Sequence, residues 1–267
     1  MTAPPTPPVH TNLVLKTLRA EQRGPVLHIE LNLPDQGNVV GEAMLHDLQT
    51  VLDDQDPAVR VLVLSGAGTD FCLGGDRTEF AEHLAHDPTG SGIRASGVRA
   101  RRVCEALTDN PAVTIARVQG KAIGAGLALA LACDLRVCAD TASFRLPELA
   151  LGLPTAWGGL LPRLLSEVGA ARVRELVLTG RAFDAAEAHY LSVVQRVVPE
   201  AQLDEAVAAW ARPVVRRSPT ALRVTKTLLQ SYAAPARLAD ASALDAELMA
   251  SVLASEHYAR TRRHLAV

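Results

Sequence analysis

The chain has 267 residues, 48% hydrophobic and 21% charged, which supplies a sizeable core and excludes a disordered chain. Lysine plus arginine (27) nearly balances aspartate plus glutamate (29), for a formal net charge of −2, and aromatics are only 3%. Such a chain has neither the cationic field nor the stacking platforms of a nucleic-acid binder, and no basic face for a membrane surface.

In chain order, residues 1–12 read as a disordered tail, with Pro4, Pro5, Pro7 and Pro8 favouring extended backbone. The tail lacks the basic start and apolar stretch of a secretion signal. Residues 26–31 (VLHIEL) read as a strand, and residues 34–38 turn the chain. Met44, Leu45, Leu48, Val51 and Leu52 recur at helical spacing. Residues 59–64 (VRVLVL) form the short apolar run of a buried strand. A glycine-bearing loop follows over 69–76, then a helix over 76–84. Residues 89–97 are rich in Gly and Ser and are expected to form a mobile loop. Val98, Val103 and Leu107 mark a further helix, with Arg99, Arg101 and Arg102 near its wet side.

Residues 113–118 read as a strand, 120–126 as a second glycine loop and 127–132 as a helix. Two short strands are expected at 135–138 and 143–146. This alternation is an α/β pattern. From Gly158 onward nearly everything reads helical. Gly180 stops a helix over 172–179, Ser218-Pro219 starts another, and Leu244, Leu248 and Val252 form a stripe on a last one. Cys72, Cys104, Cys133 and Cys138 form no CxxC pair and no zinc spacing, so they read as free thiols of a cytoplasmic protein without a metal site. The longest apolar run, 123–133, holds two glycines and is shorter than the ~20 residues of a membrane span.

Three pieces carry chemistry. Phe71-Cys72-Leu73-Gly74-Gly75-Asp76 and Gly120-Lys121-Ala122-Ile123-Gly124-Ala125-Gly126 each lie between a strand and a helix. Glycine lets a ligand approach backbone amides, and an amide at a helix start faces negative charge. Two such amides converging would form an oxyanion hole, yet either loop alone is equally a packing turn. Neither is a phosphate loop or a completed GxGxxG. The third piece is Glu148, in Phe144-Arg145-Leu146-Pro147-Glu148-Leu149. Apolar surroundings would raise its pKa into the range of a proton carrier; a surface or capping glutamate is the alternative.

Taken together, in this order, VRVLVLSGAGTDFCLGGD, VQGKAIGAGLALALACDLRVCADTASFRLPELALGLP and LTGRAFDAAEAHYLSVVQRVVP resemble the crotonase superfamily, the enoyl-CoA hydratase/isomerase family. The resemblance runs from about residue 13 to residue 264. It implies an α/β fold, a crotonase-like spiral of ββα units over 13–200, with a helical trimerisation region over 201–267. By position it implies oxyanion amides at Gly75 and Ala125 and a catalytic Glu148. Leu73, Gly74, Asp76, Gly124, Ala128 and Trp157 would line the substrate. The substrate would be a thioester of coenzyme A or an acyl-carrier protein, with no further cofactor. The assembly would be a homotrimer or a dimer of trimers, with Tyr258, Arg260, Arg262 and Arg263 placed near a neighbour's CoA.

Hydratases that the chain resembles use two glutamates; the first falls here on Ala128. One carboxylate is enough to move a proton between two carbons flanking an enolate, so enoyl-CoA double-bond isomerisation is expected. A hydratase or lyase using Glu148 with water held elsewhere is the alternative, together with a carbon–carbon bond-forming or decarboxylating member of a biosynthetic pathway. Dienoyl isomerases and naphthoate synthases place an aspartate in the following loop, which here reads Pro154-Thr155-Ala156-Trp157. Clp-type proteases share the spiral, but no GxSxG occurs. Acyl specificity is expected from pocket walls over residues 80–99.

Overall fold

The computed structural model describes residues 10–233 and 244–254. The prolines of the tail and the Tyr258–Arg263 group lie outside the described residues.

The chain opens with β1 (His10–Val14), β2 (Leu18–Arg23) and β3 (Val26–Leu31), antiparallel neighbours. The tail expected over 1–12 therefore gives way to a strand at His10. Neither strand gave an apolar run: the inward positions of β2 are Leu18, Ala20 and the buried polar Gln22, and Asn12, Leu13 and Val14 of β1 are exposed. Helix α1 (Glu42–Asp53) buries Met44, Leu45, Leu48, Val51 and Leu52, the stripe read from spacing. Strand β4 (Val61–Gly66) pairs in parallel with β3. Helix α2 (Arg77–His86) follows, then α3 (Ser91–Thr108). Helix α3 overturns the loop expected over 89–97. Ile93, Ser96, Ala100, Val103, Cys104 and Leu107 form one buried stripe, and tertiary packing overrides the weak helix propensity of Gly92 and Gly97. Val98, by contrast, is exposed.

Strand β5 (Val113–Val118) continues the sheet. The second glycine loop contains a short strand, β6 (Lys121–Ile123), and leads into α4 (Ala125–Ala132), every residue of which is buried. Strands β7 (Leu135–Ala139) and β8 (Ser143–Arg145), then α5 (Leu160–Glu167) and α6 (Ala170–Thr179), fall close to expectation. Gly180 caps α6 in the left-handed conformation. The region read as purely helical also holds β9 (Ala182–Asp184), α7 (Ala185–Tyr190) and β10 (Arg196–Val198). Three-residue strands carry too little periodicity to stand out. Helices α8 (Leu203–Val215), α9 (Pro219–Ala233) and α10 (Asp245–Leu253) complete the described chain. Ser218 Oγ accepts from Ala221 N at 3.4 Å, the expected N-cap. On α10 the buried face is Ala246, Met249, Ala250 and Leu253; Leu244 and Leu248 of the expected stripe are exposed.

The main sheet runs β1-β2-β3-β4-β5-β7-β10, parallel from β3 onward; a second runs β6-β8-β9. The core lies between the sheets and α1, α3, α4 and α5. All four cysteines are buried free thiols. Arg136, 1% exposed, donates its guanidinium to the carbonyls of Val193, Leu131 and Cys133 and to the half-buried carboxylate of Glu167. That satisfaction is what makes a buried cation tolerable. Among the described residues no helix is long and apolar enough to cross a membrane.

Candidate active site

The two glycine loops are sewn to each other. Cys72 N donates to Lys121 O and Ile123 N to Cys72 O, each at 3.0 Å, making a parallel bridge between Cys72 and Ala122. Three residues on, the first loop bridges to the chain before α1: Val40 N donates to Gly74 O (2.8 Å) and Asp76 N to Val40 O (3.0 Å). In extended backbone, successive peptide groups point to opposite edges, so the N–H of Gly75 turns away from Val40.

Ala125 is the first residue of α4, and helix geometry leaves its N–H without an intrahelical partner. Gly124 before it has φ +50° and ψ −113°, a conformation closed to residues with a Cβ. Among the described residues, neither Gly75 N–H nor Ala125 N–H donates to a protein acceptor. Both line one cavity of about 270 Å³.

Glu148 lines the same cavity. It begins a single 3-10 turn, Glu148–Leu151, which Gly152 closes in the left-handed conformation. The turn holds the carboxylate inward, 8% exposed. Its Oε2 is buried without a hydrogen-bond partner among the described residues. Burial raises its pKa from an ordinary 4.5 to about 7, only partly opposed by its own backbone N–H. A Cβ on Gly124 would sit 2.8 Å from Glu148 Oε1, so the acid lies directly against the loop that presents Ala125. A carboxyl group in this state exchanges protons near neutral pH, beside two N–H groups able to hold a developing negative oxygen.

Leu73, Gly74, Gly124 and Trp157 also line this cavity, as expected. Two expected residues do not. Asp76 turns away: its carboxylate caps α2, accepting from Thr78 N (2.8 Å) and Glu79 N (3.2 Å). Ala128 sits a helical turn beyond the Ala125 amide and lines a separate cavity of about 220 Å³ with Cys104, Leu131, Gly158 and Arg163. Of the arginines on α3, Arg99 pairs with Glu42 and Arg101 with Glu105. From the 80–99 segment only Phe80 reaches the cavity, its ring 3.4 Å from where a Gly75 Cβ would stand. Arg77, Arg145, Leu153 and Met249 are lining residues that sequence reasoning missed. Arg77 and Leu153 lie beside motif residues, a positional hint; Met249 arrives from a helix remote in sequence and gave no local signal.

A profile of the family described as Enoyl-CoA hydratase/isomerase matches residues 21–264. The chain is similar to a peroxisomal Delta(3,5)-Delta(2,4)-dienoyl-CoA isomerase of Arabidopsis thaliana, 33% identical over 80% of this chain and 81% of the relative. It is similar to a hydroxycinnamoyl-CoA hydratase-lyase of Pseudomonas fluorescens, 31% identical over 79% of this chain and 77% of the relative. Among solved structures it is similar to an enoyl-CoA hydratase from Bacillus anthracis, with a TM-score of 0.75 and 32% identity, covering 80% of this chain and 83% of that one.

Proposed function

The chain belongs to the enoyl-CoA hydratase/isomerase family and has the crotonase fold, and we propose that it isomerises the double bond of an enoyl thioester through an enolate. The observation that carries this reading is the lone buried carboxyl of Glu148, near pKa 7, in one cavity with two unengaged backbone amides. The amides of Gly75 and Ala125 hold the thioester oxygen as it gains charge. Glu148, as carboxylate, takes a proton from the carbon next to the thioester carbonyl of a 3-enoyl substrate. The electron pair spreads over the carbonyl and the double bond, and Glu148 returns the proton at the fourth carbon, leaving the 2-enoyl product. No atom is gained or lost. Removing one oxyanion donor of such a site typically costs about 10²- to 10³-fold in rate.

A hydratase or lyase is the second reading, favoured by the names of the Bacillus and Pseudomonas relatives. It asks for a second group to hold water. Ala128 supplies none.

Incubation with 3-enoyl- and 2-enoyl-CoA in deuterated water separates the two. Isomerisation gives a product of unchanged composition carrying exchanged deuterium; hydration adds a whole water. Glu148→Gln is expected to slow turnover by about 10²- to 10⁴-fold while thioester binding stays nearly intact. Full activity in that variant would overturn the assignment of the base.

The assembly we propose is a trimer through α9, whose Val224, Leu228, Leu229 and Tyr232 are exposed on the single chain.

A further inference from the structure

The lining of the candidate site's cavity is of two kinds. Leu73, Arg77 and Arg145 are exposed residues; Phe80, Leu153, Trp157 and Met249 are buried ones. Phe80, Leu153 and Met249 belong to a small hydrophobic cluster apart from the main core, with Ile93, Ala250 and Leu253. Three of its six members come from α10.

Helix α10 is held on α3 at a fixed height. A Cβ on Gly97 would stand 2.7 Å from that of Ala246, and one on Gly90 would stand 3.3 Å from that of Ala250. The two glycines thus admit the alanines of one α10 face. Arg94 Nε pairs with Glu247 Oε2 at 2.7 Å, and Gly159 N donates to Asp245 Oδ2 at 3.2 Å. Three residues after Ala246 on that face comes Met249, directed at the cavity.

We propose that Met249 is the acyl-length determinant of this enzyme, and that its substrates are short, apolar acyl thioesters. The inference rests on the reading of Glu148, Gly75 and Ala125 as the reacting centre. The buried lining offers hydrocarbon and a thioether, so it takes an apolar acyl group. A cavity of about 270 Å³, shared by the thioester, the start of its thiol arm and the acyl group, is at the small end for a ligand site, which favours a short acyl chain.

The test is the binding of saturated acyl-CoAs of graded length, measured by calorimetry on the full chain, with exchange of their α-protons followed in deuterated water. Wild-type protein is expected to favour the short members. Met249→Ala should move the long-to-short affinity ratio at least about ten-fold toward long chains, the scale of one or more methylenes in an apolar pocket. Met249→Leu should keep the ratio, as should Leu248→Ala, a change at an exposed neighbour on α10. A ratio is insensitive to the fraction of folded protein, so a weakened fold does not mimic the effect. An unchanged ratio in Met249→Ala overturns the proposal, even if Glu148 remains catalytic. A shifted ratio without α-proton exchange in any thioester sustains the acyl wall and refutes the role of Glu148.

Discussion

On the proposed mechanism a single acid, Glu148, bears on reactivity as well as stability. Glu148 must be ionised to take a proton, so α-proton exchange should level off above about pH 7 and fall nearly ten-fold per pH unit below it. Stability runs the other way. Below pH 4.5 the carboxyl is protonated in folded and unfolded chains alike. Between pH 4.5 and about 7 the unfolded chain ionises while the folded one resists, so stability declines as pH rises through this window. Glu148→Gln removes that penalty: thermal unfolding at pH 8 should show a gain on the order of 3 kcal/mol, vanishing near pH 4. Gly124→Ala should also lower activity, with the carboxyl itself intact. It strains the backbone and crowds Oε1, and an exchange rate within two-fold of wild type would contradict the described contact. That Glu148, Gly75 and Ala125 come together at one cavity was legible because short motifs set their local turns. Asp76 and Ala128 were misplaced because a motif gives spacing along the chain and not the direction of a side chain.

Elements were legible where burial imposed a period, and lost where it did not. Strand β4 announced itself by an apolar run, β3 and β5 by their apolar and β-branched content, and helix α1 by a clean stripe. The start of α3 did not: its glycines, read as a loop, are the residues that let α10 approach. Strand β1 lies at the sheet edge, and β2 alternates in burial but puts polar Gln22 at its third inward position, so neither offers an apolar run. Helix α2 depends on its cap, since only Phe80 of its ten residues is buried. Asp76→Ala is therefore expected to cost about 1 kcal/mol in chemical denaturation, with the loss concentrated in α2.

For the whole molecule, the α/β character and the helices that follow β10 were legible from the pattern of elements along the chain. That the helical end returns to the cavity through Met249 was not, because such a contact depends on tertiary packing across 101 residues from Glu148. Helix α9 docks by few groups, chiefly Lys226 Nζ on Asp134 Oδ2 (2.7 Å) and on Ala112 O (2.9 Å), and presents its apolar face outward. If the proposed trimer forms through α9, Leu229→Glu with Tyr232→Glu should convert it to monomers in light scattering; an unaltered mass would remove α9 from the interface. One buried thiol offers a view of the molecule opening. Cys72 is wedged where the loops meet, accepting from Gly74 N at 3.4 Å, and burial pushes its pKa up to about 12. An alkylating reagent can reach it only when the stitch between the loops parts, so the labelling rate of Cys72 times the breathing of the catalytic centre, and an occupied cavity should slow that clock.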